Sequence, residues 1–295
     1  MRHNRIIIAG YGPAGMACAI QLKRMGLKPL VIEKDRPGGM LFYANKIENY
    51  PGFPGGISGE ELVRLFSEQA GYFDIEVIKD EVQLISYENQ RFSVKGVSGS
   101  YESRILIIAT GTSPIIPDNC PIELIRKGLV HFDIARLKPV TGKTIGIIGA
   151  GDAAFDYSLS MAENDNAVII FNRSDKIRAL KVLTEKVFIN KNIKYFENIT
   201  LQNLEIVAGK RLLAIFHSAS SNKKYSQDYL IFATGRKPAS GFIDESLKGD
   251  LPGLINEHRL YLAGDIVNGL YRQVSVAVGD GVRIAMEIFR NESNQ

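Results

Sequence analysis

Two glycine-rich segments have the spacing that binds the pyrophosphate of a dinucleotide. Gly10-x-Gly12-x-x-Gly15 follows the apolar run Ile6–Ala9, and Gly149-x-Gly151-x-x-Ala154 follows the apolar segment 144–148. The first glycine allows a tight turn, the second lets the backbone approach the pyrophosphate, and the third lets the helix pack closely on the strand. Alanine is a permitted variant at the third position. The segments therefore predict two dinucleotide sites, each between a strand and a helix.

The residue that ends the next strand distinguishes the two sites. After the first turn the strand ends at Glu33, whose carboxylate can accept hydrogen bonds from both hydroxyls of an adenosine ribose and would repel a 2′-phosphate. The first site is therefore expected to hold FAD or NAD. After the second turn Asn172 takes this place, and Arg173 and Arg178 follow. Two guanidiniums can clamp a 2′-phosphate, which favours NADP; the alternative is two solvated surface arginines.

Three further segments carry groups that suit a flavin. Ala263-Gly264-Asp265 ends a short strand, and Gln273 to Phe289 has apolar residues at helical spacing. Asp265 can bond the ribityl chain, and the helix would direct its positive end at the N1–C2=O edge of the ring; an aspartate here can also simply cap a turn. The glycine-rich stretches Pro37–Met40 and Glu48–Gly56 include Asn49, which offers an amide to the ring.

The elements that position these residues form an internal repeat. Each glycine turn is followed by a helix, a second strand and alternating strands that end in Ala-Thr-Gly, at Gly111 and at Gly235. This pattern predicts an α/β fold with two three-layer Rossmann-like dinucleotide-binding domains. The proline-rich stretch 112–141 suits a connection, and the C-terminal segment is expected to return to the first domain. The predicted domains are FAD-binding, 1–112 and 240–295, and NAD(P)H-binding, 113–239.

Composition excludes several classes of function. The 295 residues carry 36 Lys+Arg and 32 Asp+Glu, a net charge of +4, without a long run of one sign, so neither a nucleic-acid arm nor a membrane-binding patch is indicated. The apolar run 6–9 is too short for a signal peptide or a spanning helix, so a cytoplasmic protein is expected. Cys18 and Cys120 are far apart, and the four histidines are scattered. No metal site is expected, and redox chemistry would fall to a bound cofactor.

Together these phrases resemble the low-molecular-weight thioredoxin reductase family of FAD- and NAD(P)-dependent pyridine nucleotide oxidoreductases. The resemblance also rests on Gly38-Gly39, Glu48-Asn-Tyr-Pro-Gly-Phe-Pro54, and Ala263-Gly-Asp265 with Tyr271-Arg-Gln273. It implies an FAD domain with an inserted NADPH domain, a homodimer, and reduction of the flavin by NADPH.

The resemblance implies two sets of cofactor contacts. Those to FAD are Gly10, Gly12, Pro13, Ala14, Gly15, Glu33, Lys34, Gly39, Met40, Asn49, Val82, Thr110, Gly111, Asp265, Arg272, Gln273 and Val274. Those to NADPH are Gly149, Gly151, Asp152, Ala153, Ala154, Arg173, Arg178 and Arg236.

The sequence departs from the family before the second glycine turn. Thioredoxin reductases carry a C-x-x-C pair there, whereas residues 128–134 read Gly-Leu-Val-His-Phe-Asp-Ile. The Val-His-aromatic phrase resembles the thioredoxin-reductase-like ferredoxin/flavodoxin–NADP reductases. His131 occupies the position of the pair and is a candidate to relay a proton, or is a structural histidine. The family also has a doubled arginine where this chain has Arg173-Ser174, which weakens the NADP preference.

The expected function is an FAD-dependent NAD(P)H oxidoreductase in which NADPH reduces the flavin by hydride transfer. Without a dithiol pair, the electrons would pass to a ferredoxin, a flavodoxin, or a small molecule such as a quinone or dioxygen. Two alternatives remain open: a non-catalytic redox- or nucleotide-sensing flavoprotein, and a flavoprotein that a protein partner reduces instead of NADPH.

Overall fold

A computed structural model describes residues 2–118, 120–207, 211–218 and 221–293. The chain forms two compact units. Unit 1 contains the N-terminal residues to 42, residues 47–113 and the residues from 237 onward, and unit 2 contains 43–46 and 114–236. The boundaries expected at 112/113 and 239/240 thus lie at 113/114 and 236/237. Residues 43–46, expected in the first domain, belong to unit 2, where Asn45 hydrogen-bonds Asp156 and Glu163.

Unit 1 is built on a seven-stranded sheet. Its strands are β1 (Arg2–Ala9), β2 (Pro29–Glu33), β3 (Glu76–Lys79), β4 (Val82–Glu88), β5 (Arg91–Gly96), β6 (Ser100–Ile108) and β17 (Leu260–Leu262). The order is β3-β2-β1-β6-β5-β4, with β17 parallel to the end of β6. Its helices are α1 (Pro13–Arg24), α2 (Gly59–Gly71), α6 (Glu245–Lys248), α7 (Leu251–Asn256) and α8 (Val274–Ser293).

The apolar run in β1 is buried on both faces, which explains why it is continuous rather than alternating. Ile6 and Ile8 pack with α1 and α8, and Ile7 packs on the other face with residues of β2, β5 and β17. Ile6 pairs in parallel with both Pro29 and Ile105. The carboxyl ends of β1, β2 and β6 therefore meet at one edge of the sheet, where the glycine turn begins.

Unit 2 repeats this plan with a five-stranded parallel sheet. Its strands are β8 (Val130–His131), β9 (Thr144–Ile148), β10 (Ala167–Phe171), β11 (Ile193–Phe196) and β15 (Tyr229–Phe232), in the order β11-β10-β9-β15-β8. A three-stranded antiparallel sheet adds β12 (Ile199–Val207), β13 (Arg211–Ser218) and β14 (Ser221–Gln227). The helices are α3 (Ile122–Arg126), α4 (Asp152–Glu163) and α5 (Lys181–Ile189).

Aromatic packing joins the two sheets of unit 2. The ring of Phe171 stacks on Phe216 with centroids 4.1 Å apart and meets Tyr225 at 5.0 Å. The short strands β7 (Thr112–Pro114) and β16 (Arg236–Pro238) pair with each other in a two-stranded sheet.

The predicted α/β class and the two Rossmann-like arrangements are confirmed. Among the described residues, no helix has the length and apolar character needed to cross a bilayer.

Candidate functional site

The first glycine turn has the geometry of a phosphate-binding turn. Gly10 has φ +103°, and a Cβ on it would lie 2.5 Å from the carbonyl oxygen of Ala109. A Cβ on Gly15 would lie 2.1 Å from the carbonyl oxygen of Gly10. By contrast, a Cβ on Gly12, the residue that precedes α1, would meet nothing within 4 Å. A side chain at Gly10 or Gly15 would therefore collide with the protein backbone. At Gly12 the absence of a side chain instead leaves open space at the positive end of α1.

Glu33 is held against this turn by backbone donors. Its Oε2 accepts a hydrogen bond from the Tyr11 N–H at 2.7 Å, and its Oε1 accepts one from the Asp35 N–H at 3.0 Å. The neighbouring Lys34 forms an ion pair with Glu81 at 3.8 Å. A cavity of about 650 Å³ lies beside the end of β2, with Asp35 and Lys79 in its wall. The Glu33 carboxylate thus lies beside the first glycine turn.

Several residues predicted to contact the flavin lie together although they are distant in the sequence. A Cβ on Gly39 would lie 3.8 Å from the Cα of Gly12, and one on Gly264 would lie 3.0 Å from the Cβ of Ala14. The Asn49 side-chain amide donates to Oε1 of Gln273 at 2.8 Å. This bond spans 224 positions of the sequence and ties the second glycine-rich stretch to the start of α8.

Other predicted contacts surround the same edge of the sheet. Thr110 Oγ1 donates to the Ala239 carbonyl at 2.9 Å, and Gly111 has φ +66°. Met40 lies in the 3₁₀ turn 39–43, and Val82 begins β4 two residues after Asp80, whose N–H donates to the Glu33 carbonyl. Arg272 is half-buried immediately before α8.

Sequence reasoning missed one organising residue, Asp280 on α8. Its Oδ2 accepts hydrogen bonds from the Gly264 N–H at 3.1 Å and the Asn268 amide at 2.7 Å, so it fixes the turn that carries Asp265. The available signal was its spacing of one heptad from Gln273, which places the two residues on similar faces of the helix.

The second glycine turn repeats the geometry of the first. Gly149 has φ +136°, and a Cβ on it would lie 2.5 Å from the Ala233 carbonyl oxygen. Gly151 precedes α4, and a Cβ there would meet nothing within 4 Å. Ala154 at the third position is fully buried, so its methyl group is accommodated in the helix–sheet contact.

Backbone bonds fix the arginine loop beside this turn. The N–H groups of Arg178 and Ala179 both donate to the Ala150 carbonyl, at 2.8 and 3.1 Å. Asp152 Oδ1 accepts from the Leu180 N–H at 2.8 Å. The buried Asn172 amide donates to the Lys176 carbonyl at 3.1 Å and to the Tyr195 hydroxyl at 2.9 Å. These bonds of Asn172 fix the conformation of the loop. Because its amide is neutral, Asn172 also differs from Glu33, which places a negative charge at the corresponding position of the first site.

The two arginines of this loop are exposed, and within the described part of the chain neither forms an ion pair. Arg178 is fixed next to the turn through its backbone, and Arg173 directly follows Asn172. Arg236, the third predicted cation, begins β16. The backbone of Arg178 therefore lies beside the second turn, and among the described residues neither Arg173 nor Arg178 has an acidic partner.

The comparison with known sequences decides the family. The profile of the pyridine nucleotide-disulphide oxidoreductase family matches residues 4–281. The chain belongs to this family. It is 29% identical to thioredoxin reductase of Chlamydia pneumoniae over 98% of this chain and 99% of the relative. It is also 29% identical to a bifunctional thioredoxin reductase/thioredoxin of Mycobacterium leprae, covering 97% of this chain but only 65% of that protein.

Solved structures agree on the fold of this oxidoreductase. The thioredoxin reductase of Lactococcus lactis superposes with a TM-score of 0.86 at 22% identity, covering 99% of this chain and 100% of the other. A bacillithiol disulfide reductase of Staphylococcus aureus gives a TM-score of 0.77 at 18% identity.

FAD and NADPH are the cofactors of this thioredoxin-reductase-like group. The donor sets fit both. Open space at Gly12 and at Gly151 leaves room for a pyrophosphate at each turn, a carboxylate stands beside the first turn, and exposed guanidiniums stand beside the second.

His131 ends the short strand β8 of this oxidoreductase. Its Nε2 donates to the Gly128 carbonyl at 2.9 Å, and its ring meets Tyr229 edge-on at 5.8 Å. Burial lowers the pKa of the imidazole, so the neutral form prevails at pH 7. These contacts describe a structural histidine, and proton relay by it remains a prediction.

Both cysteines are buried, and burial raises the pKa of both thiols. Cys18 is fully buried in unit 1, and burial raises its pKa to about 12. Cys120 is 6% exposed in unit 2, and burial raises its pKa as well. A thiol with a raised pKa is a poor nucleophile because little thiolate is present.

A half-buried carboxylate follows the second glycine turn. Asp156 on α4 accepts a hydrogen bond from the Asn45 N–H at 3.1 Å. Burial and the neighbouring charge of Glu163 raise its pKa from 3.8 to about 6, although the backbone of Asn45 and Lys46 and the charge of Lys138 favour the ionised form. Since the folded state holds this proton more tightly than the unfolded chain, Asp156 lowers stability as the pH rises from about 4 through 6.

Asp156→Asn is therefore expected to stabilise the protein above pH 7. The raised pKa corresponds to about 3 kcal/mol of destabilisation by the ionised aspartate, which the substitution removes. The substitution also loses one acceptor oxygen, which costs about 1 kcal/mol. The free energy of unfolding should therefore increase by about 2 kcal/mol. At pH 4 the aspartate is already protonated, and the gain should vanish. Urea unfolding at pH 4 and pH 8 measures both values. An equal effect at the two pH values would contradict the assignment.

Proposed function

We propose that NADPH held by unit 2 reduces FAD held by unit 1, and that the electrons leave to an acceptor other than an internal dithiol. Ferredoxin or flavodoxin is the protein acceptor proposed, and a quinone or dioxygen is the small-molecule one. The observation that carries this proposal is the stretch 128–134, which contains His131 and no cysteine.

The chemistry of the two thiols supports this choice of acceptor. The names of the relatives indicate thioredoxin as their substrate, and its reduction through a protein dithiol requires two neighbouring cysteines, one of them as thiolate. Here Cys18 and Cys120 belong to different units, and both have raised pKa values. A relay of thiols inside this chain would therefore be very slow.

The residues of unit 1 hold and orient the flavin nucleotide in this proposal. The bound flavin supplies the ability to accept a hydride and to release electrons singly or in pairs. The α1 N-terminus binds the pyrophosphate, and Glu33 accepts hydrogen bonds from the adenosine ribose. The N-terminus of α8 stabilises negative charge at the ring edge. The Asn49–Gln273 pair provides amide groups beside it.

Unit 2 selects the nicotinamide nucleotide. The N-terminus of α4 binds its pyrophosphate, and Arg173 and Arg178 bind the 2′-phosphate. We also propose that the protein is a homodimer, as the resemblance implies; sedimentation equilibrium would show a mass twice that of the 32.6 kDa chain.

The acceptor is tested by steady-state assays with one enzyme preparation. Under anaerobic conditions NADPH oxidation should accelerate on addition of ferredoxin or flavodoxin, or of a quinone, and not on addition of thioredoxin. Rapid reduction of thioredoxin would overturn the proposed route of the electrons.

Replacement of the loop arginines should discriminate between the two nucleotides. Arg173→Ala and Arg178→Ala are each expected to raise KM for NADPH about tenfold, because a charge-assisted bond contributes about 1.5 kcal/mol. KM for NADH, which lacks the 2′-phosphate, should stay nearly unchanged. Arg126→Ala, an exposed arginine on α3, is the matched control. Equal effects on both nucleotides would show that the two arginines are ordinary surface residues.

A further inference from the structure

The sheet of unit 1 forks along β6. From Ser100 to Ser103 this strand pairs with β5, and from Leu106 to Ile108 it pairs with β17. Arg104 and Ile105 lie between the two pairings. A cavity of about 620 Å³ opens at this point. We call it the fork cavity, and its wall includes Arg91, Arg104, Arg259, Tyr261, Ile288 and Asn291.

The fork cavity is separate from the glycine turn of unit 1. The glycine turn follows the carboxyl ends of the parallel strands, at Ala9 and Ile108. Arg104 and Arg259 lie at the other end of the segment in which β6 pairs with β17. The three residues of β17, which separate these two ends, span about 10 Å. None of the residues predicted to contact FAD lines the fork cavity.

The acidic residues of the fork cavity already have cationic partners. Glu257 lies 3.4 Å from Arg259, which also reaches the carbonyl and side-chain oxygens of Gln90, each at 3.5 Å. Glu292 forms an ion pair with Arg5. Both carboxylates in the wall are therefore neutralised.

Two arginine side chains in this wall have no ion pair among the described residues. The guanidiniums of Arg91 and Arg104 form neither an ion pair nor a hydrogen bond with any of them, although Glu88 of β4 is the partner of Arg91 in the pairing of β4 with β5. The pairing of β5 with β6 ends at Phe92 and Ser103, and Arg91 and Arg104 are the next residues on the two strands. Both side chains line the fork cavity, where their like charges repel each other. An anion between the two side chains would convert this repulsion into attraction.

A few apolar and aromatic side chains interrupt the polar wall of the fork cavity. Ile105 is 7% exposed and Tyr261 is 6% exposed, with Asn291 beside the tyrosine hydroxyl group, whereas Ile288 is fully buried behind them. A cavity of this volume accommodates a small organic molecule. Two guanidiniums beside these side chains favour a ligand that has a dianionic group and a small carbon skeleton.

We propose that the fork cavity binds a small phosphomonoester, with its phosphate between Arg91 and Arg104 and its organic part against Ile105 and Tyr261. A tetrahedral dianion matches two guanidiniums that line one cavity in charge and in the number of acceptors. This site is independent of the proposed redox function.

Calorimetric titration of the protein saturated with FAD and NADP⁺ tests the proposal, because the cofactors then fill the phosphate-binding turns. Inorganic phosphate and phenyl phosphate serve as probes, benzoate as the monocarboxylate, and sodium chloride as the control for ionic strength. We expect one site per chain for the two phosphates, tighter binding of phenyl phosphate, and weak or no binding of benzoate.

Two variants locate the site. Arg91→Gln and Arg104→Gln should each weaken phenyl phosphate binding at least tenfold, and phenyl phosphate should no longer raise their Tm. Arg290→Gln, which removes the same charge from the exposed side of α8, should bind like the wild type. Absence of binding, tighter binding of benzoate than of phenyl phosphate, or equal binding by all variants would each overturn the proposal.

Discussion

Replacing Gly12 by valine is expected to give a folded protein that no longer retains FAD. The backbone of Gly12, at φ −74°, is open to any residue, and a Cβ there meets no protein atom within 4 Å. The valine side chain would instead occupy the space through which the turn approaches the pyrophosphate. We expect FAD affinity to fall at least about 100-fold, or about 3 kcal/mol.

The measurement is the ratio of flavin to protein after purification, followed by titration of the apoprotein with FAD. Circular dichroism confirms the fold, because loss of a glycine before a helix costs only about 1 kcal/mol. Gly10 is unsuitable for this test, since its added Cβ would lie 2.5 Å from a backbone oxygen and the turn itself would be distorted. A variant at Gly12 that keeps its yellow colour would contradict the placement of FAD.

The equivalent change in unit 2, Gly151→Val, should give the opposite result. A Cβ on Gly151 also meets no protein atom within 4 Å, so the fold and the bound FAD should be retained. Its side chain would block the pyrophosphate of NADPH at the start of α4. We expect the rate of flavin reduction by NADPH at low concentration to fall at least about 100-fold.

Stopped-flow reduction measures this rate, and dithionite reduction serves as the control that the flavin itself is intact. Gly12→Val and Gly151→Val are matched in residue type, helix position and local space, so each is the control for the other. Loss of FAD from the Gly151 variant would contradict the assignment of one nucleotide to each unit.

The glycine turns and their strands could be predicted from the sequence because local patterns determine them. Ile6–Ala9 must be buried on both faces, and Gly10 must adopt a positive φ, whatever the rest of the chain does. The acid at Glu33 follows from its position at the end of a strand. Each of these features is determined by residues that are close together in the sequence.

Features that depend on tertiary packing could not be predicted. The Asn49–Gln273 bond and the role of Asp280 join segments that no periodicity relates. Residues 43–46 belong to unit 2 because Asn45 bonds Asp156 and Glu163 on α4. The meeting of Arg91 and Arg104 in one cavity depends on the pairing of β5 with β6, which the sequence leaves open.

Reduction of the bound flavin by NADPH is the step on which the proposed function depends. Anaerobic titration of the purified protein with NADPH, and in parallel with NADH, measures this step directly through the visible absorbance of oxidised flavin. We expect rapid bleaching by one equivalent of NADPH per flavin and slower bleaching by NADH. Bound FAD that neither nucleotide bleaches would contradict the proposed function, and would favour a sensing flavoprotein or one reduced by a protein partner.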